Sequence, residues 1–425
     1  MRTLIVILAF MLSGNAVLST AAAKDLEREP SHAAIGLTMD GYGLSLGNSR
    51  RANGLRINLS DHYLEEVNGV NLTLWRPRDN PSAVINGLAI GLLAPNANTI
   101  NGITIGGLAS VSGSNTTGIG IGGLAIVGGN LTGVSIGGLA AVAEGDMTGL
   151  HLGGLAAVAE GNLTGLALGG LAVVAEGSVE GLTVGGLAVV AERDMTGCNL
   201  GGLAVVAQGN MNGISAGGLA VVAEQDMAGG NLGGLAVVAE GNLTGFQVGG
   251  LALVSGKNIL GANLAGLAVV SQKDITGLTL TPGVVYAEGA LTGISVGVLP
   301  AFGKQKSQKR HSVYGLRADQ MLGLMLHGID ITANESLTGA GISGVRVKAR
   351  RIEGMALAGL LVSAKDLTGF STGAINYIDR RQVGLSIGLY NHAGQLNGVQ
   401  LGLLNYAGNN RGIFKLLPVL NAHFY

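Results

Sequence analysis

The sequence is short of cysteine, of aromatic residues and of charge: one cysteine (Cys198), 4% aromatic residues and 12% charged residues in 425 positions. A single cysteine excludes an intramolecular disulfide framework, and none lies near the start of the chain to carry a lipid. Charged residues make up roughly 25% of a typical soluble domain, so this chain cannot present an ordinary globular surface. Its net charge of −1 gives no electrostatic footprint for nucleic acid.

Long apolar runs are also missing. No segment beyond the N-terminal region offers the roughly 20 apolar residues that a membrane-spanning helix needs. At the N-terminus, Arg2 precedes a short apolar run and a small-residue stretch that ends at Ala23. This pattern predicts an export signal peptide over residues 1–23, cleaved after Ala23, and hence an exported chain without a helical anchor.

Glycine is in excess, with 75 residues, and it recurs at a fixed period. The glycine that follows segments such as NLT marks each copy at 16-residue steps from Gly133 to Gly293, and the later steps shorten to 14, for 23 marks in all. Such self-similarity is the signature of a repeat array. The predicted segments are an N-terminal cap (24–53), a glycine-rich array (54–302), a basic interruption (303–322), C-terminal repeats (323–411) and a C-terminal cap (412–425).

Each central unit reads G-φ-x-φ-G-G-L-A-V-V-A-E-G-N-φ-T, where φ is aliphatic. Aliphatic runs between glycine-rich corners predict short strands and turns, whereas each glycine inside a helix would cost about 1 kcal/mol. Near-identical units bury their faces best against their own copies, and no 32-residue superperiod distinguishes two kinds of turn. We therefore predict an all-β fold, a parallel β-solenoid of about 23 short coils spaced about 4.8 Å apart.

The third position of the unit varies and is mostly polar; its occupants include His151, Ala167, Thr183, Asn199, Ser215, Asn231, Gln247 and Asn263. We expect this column to face water. The alternation of strand side chains then predicts an inward column from Leu163, Leu166, Leu168, Leu171, Val173 and Ala175. Ala172 and Val174 would form an outward apolar ridge, of the kind that marks an interface.

The alternative fold is an antiparallel outer-membrane β-barrel, acting as a channel or scaffold, in which each unit supplies one strand of about 11 residues and a turn. The terminal HFY segment and two apolar strand faces favour it. Against it, residues 102–300 contain only Phe246 and Tyr286 as aromatic residues, so the aromatic girdles of a barrel are missing.

Several segments imitate catalytic motifs. Residues 133–137, 213–217, 293–297 and 384–388 match the G-x-S-x-G nucleophile elbow, which requires a strand–turn–helix context that the repeat does not offer. Residues 118–123 match G-x-G-x-x-G without a following helix or acidic partner. The seven histidines lack metal-ligand spacing. We predict no enzyme, no catalytic residue, no cofactor and no metal site.

Two other columns have competing interpretations. Glu144, Glu160, Glu176 and Glu192 stack with nearby aspartates, which allows weak cation binding, although a surface ladder without ions is the default. Cys198 stands where Leu166 stands in another unit, so we expect a buried structural thiol.

Basic residues concentrate in the segment GKQKSQKRH (303–311), which contains Lys304, Lys306, Lys309, Arg310 and His311. It is either a solvated loop or a site for an anionic polymer or lipid head groups. Arg346, Lys348 and Arg350 alternate along a predicted strand, so they share one face and would extend the same anionic-surface patch.

The C-terminal units have a pattern of their own. Asn376, Asn391, Asn405 and Asn421 recur at 15, 14 and 16 residues, which predicts an asparagine ladder. The segment VGLSIGLYNHAGQLNGVQLGLLNYAGNNRG resembles a family of bacterial exported surface-repeat proteins with Gly-rich units of 14 to 16 residues, G-φ-x-φ-G-φ-φ-N-x-A. The match is good over residues 354–425 and recognisable over 54–108, and the central block departs from it. The resemblance implies a cell-envelope location, with no catalytic residues and no defined ligand.

Together these patterns predict a non-catalytic, elongated repeat protein, exported to the cell surface or outer membrane, that acts in adhesion or as a structural element of the envelope. The expected partners are membrane lipid, a surface polysaccharide or another copy along the apolar ridge. No nucleic acid and no small-molecule substrate is indicated.

Overall fold

The computed structural model describes residues 34–39, 42–75, 77–78, 80–299, 301–304 and 311–424. The predicted signal peptide and its cleavage site lie outside these residues. The chain divides into two compact units, Met1–Gly209 and Asn210–Tyr425. Each is built from stacked parallel coils, so the predicted parallel β-solenoid is confirmed.

The strands of the first unit are, in chain order, β1 (Ala34–Met39), β2 (Tyr42–Gly47), β3 (Arg51–Asn58), β4 (Glu66–Thr73), β5 (Val84–Gly91), β6 (Asn96–Gly106), β7 (Ala109–Gly122), β8 (Ala125–Gly128), β9 (Asn130–Gly137), β10 (Ala140–Ala143), β11 (Met147–Gly153), β12 (Ala156–Ala159), β13 (Leu163–Gly169), β14 (Ala172–Ala175), β15 (Val179–Gly185), β16 (Ala188–Ala191), β17 (Met195–Gly201) and β18 (Ala204–Ala207).

The strands of the second unit are β19 (Met211–Gly217), β20 (Ala220–Ala223), β21 (Met227–Gly233), β22 (Ala236–Ala239), β23 (Leu243–Gly249), β24 (Ala252–Ser255), β25 (Ile259–Ala265), β26 (Ala268–Ser271), β27 (Ile275–Leu280), β28 (Val284–Ala287), β29 (Ala290–Gly297), β30 (Ala301–Lys304), β31 (His311–Tyr314), β32 (Leu316–His327), β33 (Asp330–Ser343), β34 (Arg346–Lys348), β35 (Arg351–Ala358), β36 (Leu361–Thr372), β37 (Ile375–Ile387), β38 (Tyr390–Ala407) and, after a 3-10 helix (Gly412–Lys415), β39 (Leu416–His423).

A central coil consists of a long strand, a corner, a short strand and a second corner, as in β13 and β14. The long strand β13 pairs in parallel with β11 and with β15, so that Leu166 lies beside Leu150 and Leu182. Each residue therefore stacks on its own copy in the neighbouring coil. The antiparallel alternative is wrong for these strands, because successive copies run in the same direction.

The glycine that marks each copy has a structural reason. Gly165 has a φ of +115°, and a Cβ atom there would lie 2.2 Å from the carbonyl oxygen of Gly149 in the previous coil. Only glycine tolerates both the backbone conformation and the close approach. The 16-residue period is thus the spacing of one obligatory glycine per coil.

The number of turns, about 21, is slightly below the predicted 23 coils. The last mark, Gly412, opens the 3-10 helix and does not belong to a coil. Strand β39 then runs antiparallel to β38, and at the other end β1 runs antiparallel to β2. An antiparallel strand thus pairs with the outermost described coil at each end and forms the edge strand there.

The basic interruption is an insertion between coils. Strands β30 and β31 form an antiparallel hairpin in a sheet of their own. Strand β32 then resumes the stack, and its Gly323 pairs with Gly293 of β29. The parallel array therefore resumes at Leu316, before the predicted boundary at residue 323.

The predicted register of the long strand is wrong. Ala167, Thr183 and Asn199 of the variable column are fully buried, whereas Leu182 is 38% exposed and Leu166 is partly exposed. Within β13 the burial pattern places residues 163, 167 and 169 inward and residues 164, 166 and 168 outward.

The corner and the short strand follow the prediction in part. Leu171 was expected to face the core but is 46% exposed. Val173 and Ala175 are fully buried, and Ala172 and Val174 are partly exposed, as predicted. The short strand thus has the predicted register, and the error is confined to the long strand and the corner that follows it.

The inner residue of the long strand faces the short strand of its own coil. A Cβ atom on Gly120 would lie 2.1 Å from Cδ1 of Ile126, six positions on, and the hydroxyls of Thr104 and Ser110 form a 2.7 Å hydrogen bond across the same gap. The space available at the inner column therefore depends on the facing residue in each coil. The same column also holds the fully buried Arg56.

Candidate functional site

The first unit has an apolar face on its long strands, which we call the outer face. It comprises the two outward columns of eight consecutive coils: Leu88, Ile90, Ile103, Ile105, Ile119, Ile121, Val134, Ile136, Leu150, Leu152, Leu166, Leu168, Leu182, Val184, Cys198 and Leu200. All are partly or fully exposed. No charged or hydrogen-bonding side chain interrupts these columns, since Cys198 is the one non-aliphatic member. Exposed apolar faces of this extent mark interaction surfaces.

The two corners that border the outer face differ in character. On one side lies a row of exposed leucines, 41–65% accessible: Leu92, Leu108, Leu124, Leu139, Leu155, Leu171, Leu187 and Leu203. On the other side lies the acidic corner with Glu144, Glu160 and Glu176. Burial, reinforced by the neighbouring charges of Glu176 and Glu144, raises the pKa of Glu160. The coil is thus apolar on one edge and anionic on the other.

The acidic corner is also held together by side chains. Oδ1 of Asp146 accepts the backbone N–H of Asn162 at 2.7 Å, and Oδ1 of Asn162 accepts that of Ser178 at 3.0 Å. Each side chain therefore ties its coil to the next. In the part of the chain that the structure describes, no group of three or more His, Cys, Asp or Glu side chains could hold a metal ion.

The serines of the four G-x-S-x-G segments lie in the core. Ser135 is 1% exposed, and Ser215, Ser295 and Ser386 are fully buried. They occupy the inner column of the long strands, and so do not reach a substrate in solution. Gly120 of the G-x-G-x-x-G segment lies in the same column, within β7 and without a following helix.

The predicted basic patch is described only in part. The loop residues Lys306, Lys309 and Arg310 lie outside the described residues, as does the side chain of Lys304. Lys348 and Arg350 are exposed, and Val347 and Ala349 between them are buried, so the two basic side chains point outward as predicted.

Arg346, the third basic residue of that strand, has an acidic partner. Its Nε lies 2.6 Å from Oδ1 of Asp330, and this hydrogen bond raises the pKa of the Arg346 guanidinium. Arg350 lies in the bend beyond the end of β34. The structure therefore adds a carboxylate to the predicted patch, and the binding of anions there stays a prediction.

The corrected register also changes the environment of Cys198. It is partly exposed in the outward column of β17, where it pairs with Leu182 of the previous coil, so the predicted buried thiol is wrong. The free thiol therefore lies on the outer face.

Two polar groups in the structure had no sequence prediction. Arg56 and Asp61, both fully buried, form an ion pair, which Asn71 and Thr73 complete with hydrogen bonds of 2.8 Å and 2.6 Å. Arg56 also donates to the backbone carbonyl of Ser49 and to Oδ1 of Asn48, so the network joins the first coils. Arg56 lies in the inner column, so its burial could be predicted only with the corrected register.

The second group is a ring stack in the C-terminal coils. The rings of Tyr377, His392 and Tyr406 lie nearly parallel, with centroids 4.5 Å and 4.8 Å apart. Their spacing of 15 and 14 residues, one position after the asparagine repeat, was a signal in the sequence that could have predicted them. Because the rings cover one another, they present edges to the outside.

Comparison with models of protein families, with curated proteins and with solved structures finds no match for this chain. Within the described residues, no helix is long and apolar enough to cross a membrane. The case for a function therefore depends on the surfaces of the coils.

Proposed function

We propose that this chain is an exported, non-catalytic repeat protein of a bacterial cell envelope, which acts in adhesion or as a structural element through the outward faces of its coils. The observation that supports this proposal is the distribution of side chains. The serines of the motif look-alikes are buried in the inner column, while the outward columns are aliphatic over consecutive coils. A surface of this kind binds by shape and apolar contact.

The envelope location comes from the predicted signal peptide and from the resemblance of residues 354–425 to exported surface-repeat proteins. It is tested by fractionating cells that express the full chain and labelling intact cells with antibodies raised against it. The expected result is enrichment in the envelope fraction and labelling without permeabilisation. Recovery of the processed chain in the cytoplasm would contradict the proposal.

The role is tested separately by deleting the reading frame. We expect weaker attachment of cells to surfaces or greater sensitivity to detergent, and restoration of either by the intact chain. Restoration requires folded coils. The matched negative control is therefore Gly165→Val, because a side chain at this position would collide with the carbonyl oxygen of Gly149 in the previous coil.

The basic residues supply one further part of the proposal, contact with anionic polymer or lipid head groups. Replacing Lys304, Lys306 and Lys309 together with glutamine is expected to weaken binding to anionic liposomes at low salt. Neutral liposomes are the control, and unchanged binding to anionic ones would remove this contact.

A further inference from the structure

The outer face of the first unit is a surface without a partner in the described residues, and three of its properties indicate one. These are its size, its repeat distance and the charge of its borders. We propose that the outer face pairs with the same face of a second copy of this chain, as a two-fold symmetric dimer. This inference rests on the proposed function and deepens it by naming the partner.

The size of the face is what a stable dimer needs. Eight coils about 4.8 Å apart give a length of about 34 Å, and the six residues from the first aliphatic column to the leucine corner give a width of about 20 Å. The outer face and the leucine corner together thus offer about 700 Å² per copy, close to the roughly 800 Å² per partner of a standard specific interface. The two columns of the outer face are aliphatic except at Cys198, as in the apolar centre of such interfaces, and a polar column that includes Thr148, Thr164 and Glu180 lies at the acidic border.

The repeat distance favours a second copy over an unrelated partner. The leucine and isoleucine rows recur once per coil, because each residue pairs with its own copy, as Leu150 pairs with Leu166. Side chains of two surfaces interdigitate along a whole row only when both have the same spacing, as in dry zippers between sheets. A second copy of this chain has the same spacing because it has the same sequence.

The charge around the face argues against a lipid surface as its occupant. Between residues 84 and 200 the sequence contains seven acidic residues and a single basic one, Arg193. Anionic head groups attract clusters of Lys and Arg beside an apolar face. Here the border is the acidic corner of Glu144, Glu160 and Glu176, which repels them.

The same acidic corner selects one orientation of the dimer. A two-fold axis parallel to the direction of coil stacking sets each coil against its own copy. It also places the acidic corner of one copy beside the leucine corner of the other, so that the carboxylates lie on opposite edges. The perpendicular in-plane axis would bring the two acidic corners together, where like charges repel.

Burial of the outer face can be followed in the native chain, because Cys198 is its single cysteine and lies on that face. The first experiment follows the alkylation of Cys198 by a maleimide in the purified mature chain as protein concentration rises. We expect the rate to fall at least about tenfold as dimer occupancy passes roughly nine-tenths. A rate independent of concentration through the micromolar range would overturn the proposal.

The second experiment compares two variants by sedimentation velocity, with circular dichroism to check the strands. Leu150→Arg, Leu166→Arg and Leu182→Arg together place three charges on the outer face. Val158→Arg, Val174→Arg and Val190→Arg place the same charges on the outward side of β12, β14 and β16.

The expected result is a dimer for the native chain and for the short-strand variant, and a monomer for the outer-face variant. A dimer that persists in the outer-face variant, or that is lost in both, would contradict this interface. If the native chain is a monomer that binds vesicles of phosphatidylcholine, lipid is the occupant and the proposal is wrong. If the outer-face variant loses its strands, the alkylation of native Cys198 decides alone. None of these outcomes bears on the envelope location, which depends on fractionation and labelling of cells.

Discussion

The central 16-residue coils turn the corner after the long strand with a glycine pair, whereas the C-terminal 14- and 15-residue coils keep one stacked glycine and add a buried amide. Backbones meet closely in both: a Cβ atom on Gly170 would lie 2.0 Å from the carbonyl oxygen of Gly154, and one on Gly402 would lie 1.9 Å from that of Gly388. In the C-terminal coil Nδ2 of Asn391 also donates to the carbonyl of Leu401 and to Oδ1 of Asn405, at 2.9 and 2.7 Å. Side-chain hydrogen bonds thus accompany the loss of one or two residues per coil.

The inner columns of the two regions resemble each other more than their corners do. In the C-terminal coils Ser371 and Ser386 share a 2.7 Å hydrogen bond, and in the central coils the hydroxyl of Thr183 donates to Oδ1 of Asn199 at 2.6 Å. The hydroxyl of Ser215 has no hydrogen-bond partner among the described residues. The corner therefore distinguishes the two kinds of coil better than the inner column does.

The largest expected effect is at the glycine of the central coils. Gly229 has a φ of +107°, and a Cβ atom there would lie 2.1 Å from the carbonyl oxygen of Gly213, so Gly229→Ala should cost more than about 4 kcal/mol or prevent folding. Its neighbour Gly230 has nothing nearer than Cγ1 of Ile214 at 4.0 Å, so Gly230→Ala should lie within about 0.5 kcal/mol of the native chain or stabilise it. Urea unfolding followed by circular dichroism measures both. Equal effects at the two positions would show that stacking does not depend on this glycine.

The second effect is at the amide of the C-terminal coils. Asn391→Ala removes two donated hydrogen bonds and the acceptor for Nδ2 of Asn376, and should cost about 3 kcal/mol because the partners stay buried. Asn86→Ala, in an exposed ladder with Asn68 and Asn101, is the control and should cost less than about 0.5 kcal/mol. A small loss for both would mean that the shorter coils do not need the amide.

The third prediction concerns pH. Burial lowers the pKa of His151 from 6.5 to about 4, against a smaller opposing effect of the Thr148 backbone. Between these values the unfolded chain binds a proton that the folded chain does not, so stability should be constant above about pH 6.5 and fall as the pH drops toward 4, by about 3 kcal/mol in total. His151→Ser, which installs the residue found at this column in Ser135 and Ser215, should remove most of that fall. A variant with the same pH profile as the native chain would show that another group titrates.

The smallest effect is at the acidic corner, a feature of the central coils. Glu160→Gln removes like-charge repulsion with Glu144 and Glu176 and should stabilise the chain by about 0.3 kcal/mol at low salt, and by less in high salt. Glu180→Gln is the control, because Glu180 stacks between Thr164 and Thr196. A stabilisation of Glu160→Gln that does not decrease with salt would not be electrostatic.

The fold could be predicted because the repeat period indicates the relative direction of neighbouring strands. Copies of one 16-residue segment without a 32-residue superperiod predict parallel stacking, and the pairing of Leu166 with Leu150 and Leu182 confirms it. The asparagine ladder was likewise predicted, and its bonds join Asn376, Asn391 and Asn405. Asn421 does not continue it, because β39 runs antiparallel and donates from Asn421 Nδ2 to the backbone of Asn405.

The candidate site could not be predicted, because polarity was taken as a guide to exposure. The leucines of the outer face were assigned to the core, and Cys198 with them, while the buried serines and His151 were assigned to the surface. In the structure β13 is one strand from the buried Leu163 to Gly169, and Leu163 and Leu166 lie on opposite sides of it.

The sequence alone determined the length of a coil, the direction of its strands and the glycine that each copy requires, because these follow from the period and from backbone sterics. Only the tertiary structure decided which set of alternating side chains faces inward. The alternation of side chains along a strand defines two sides, but it does not show which side faces the interior. The physical reason is the space left by the short strand opposite, which differs from coil to coil: at Gly120 a Cβ atom would lie 2.1 Å from Cδ1 of Ile126, whereas the same column accommodates the fully buried Arg56 in another coil.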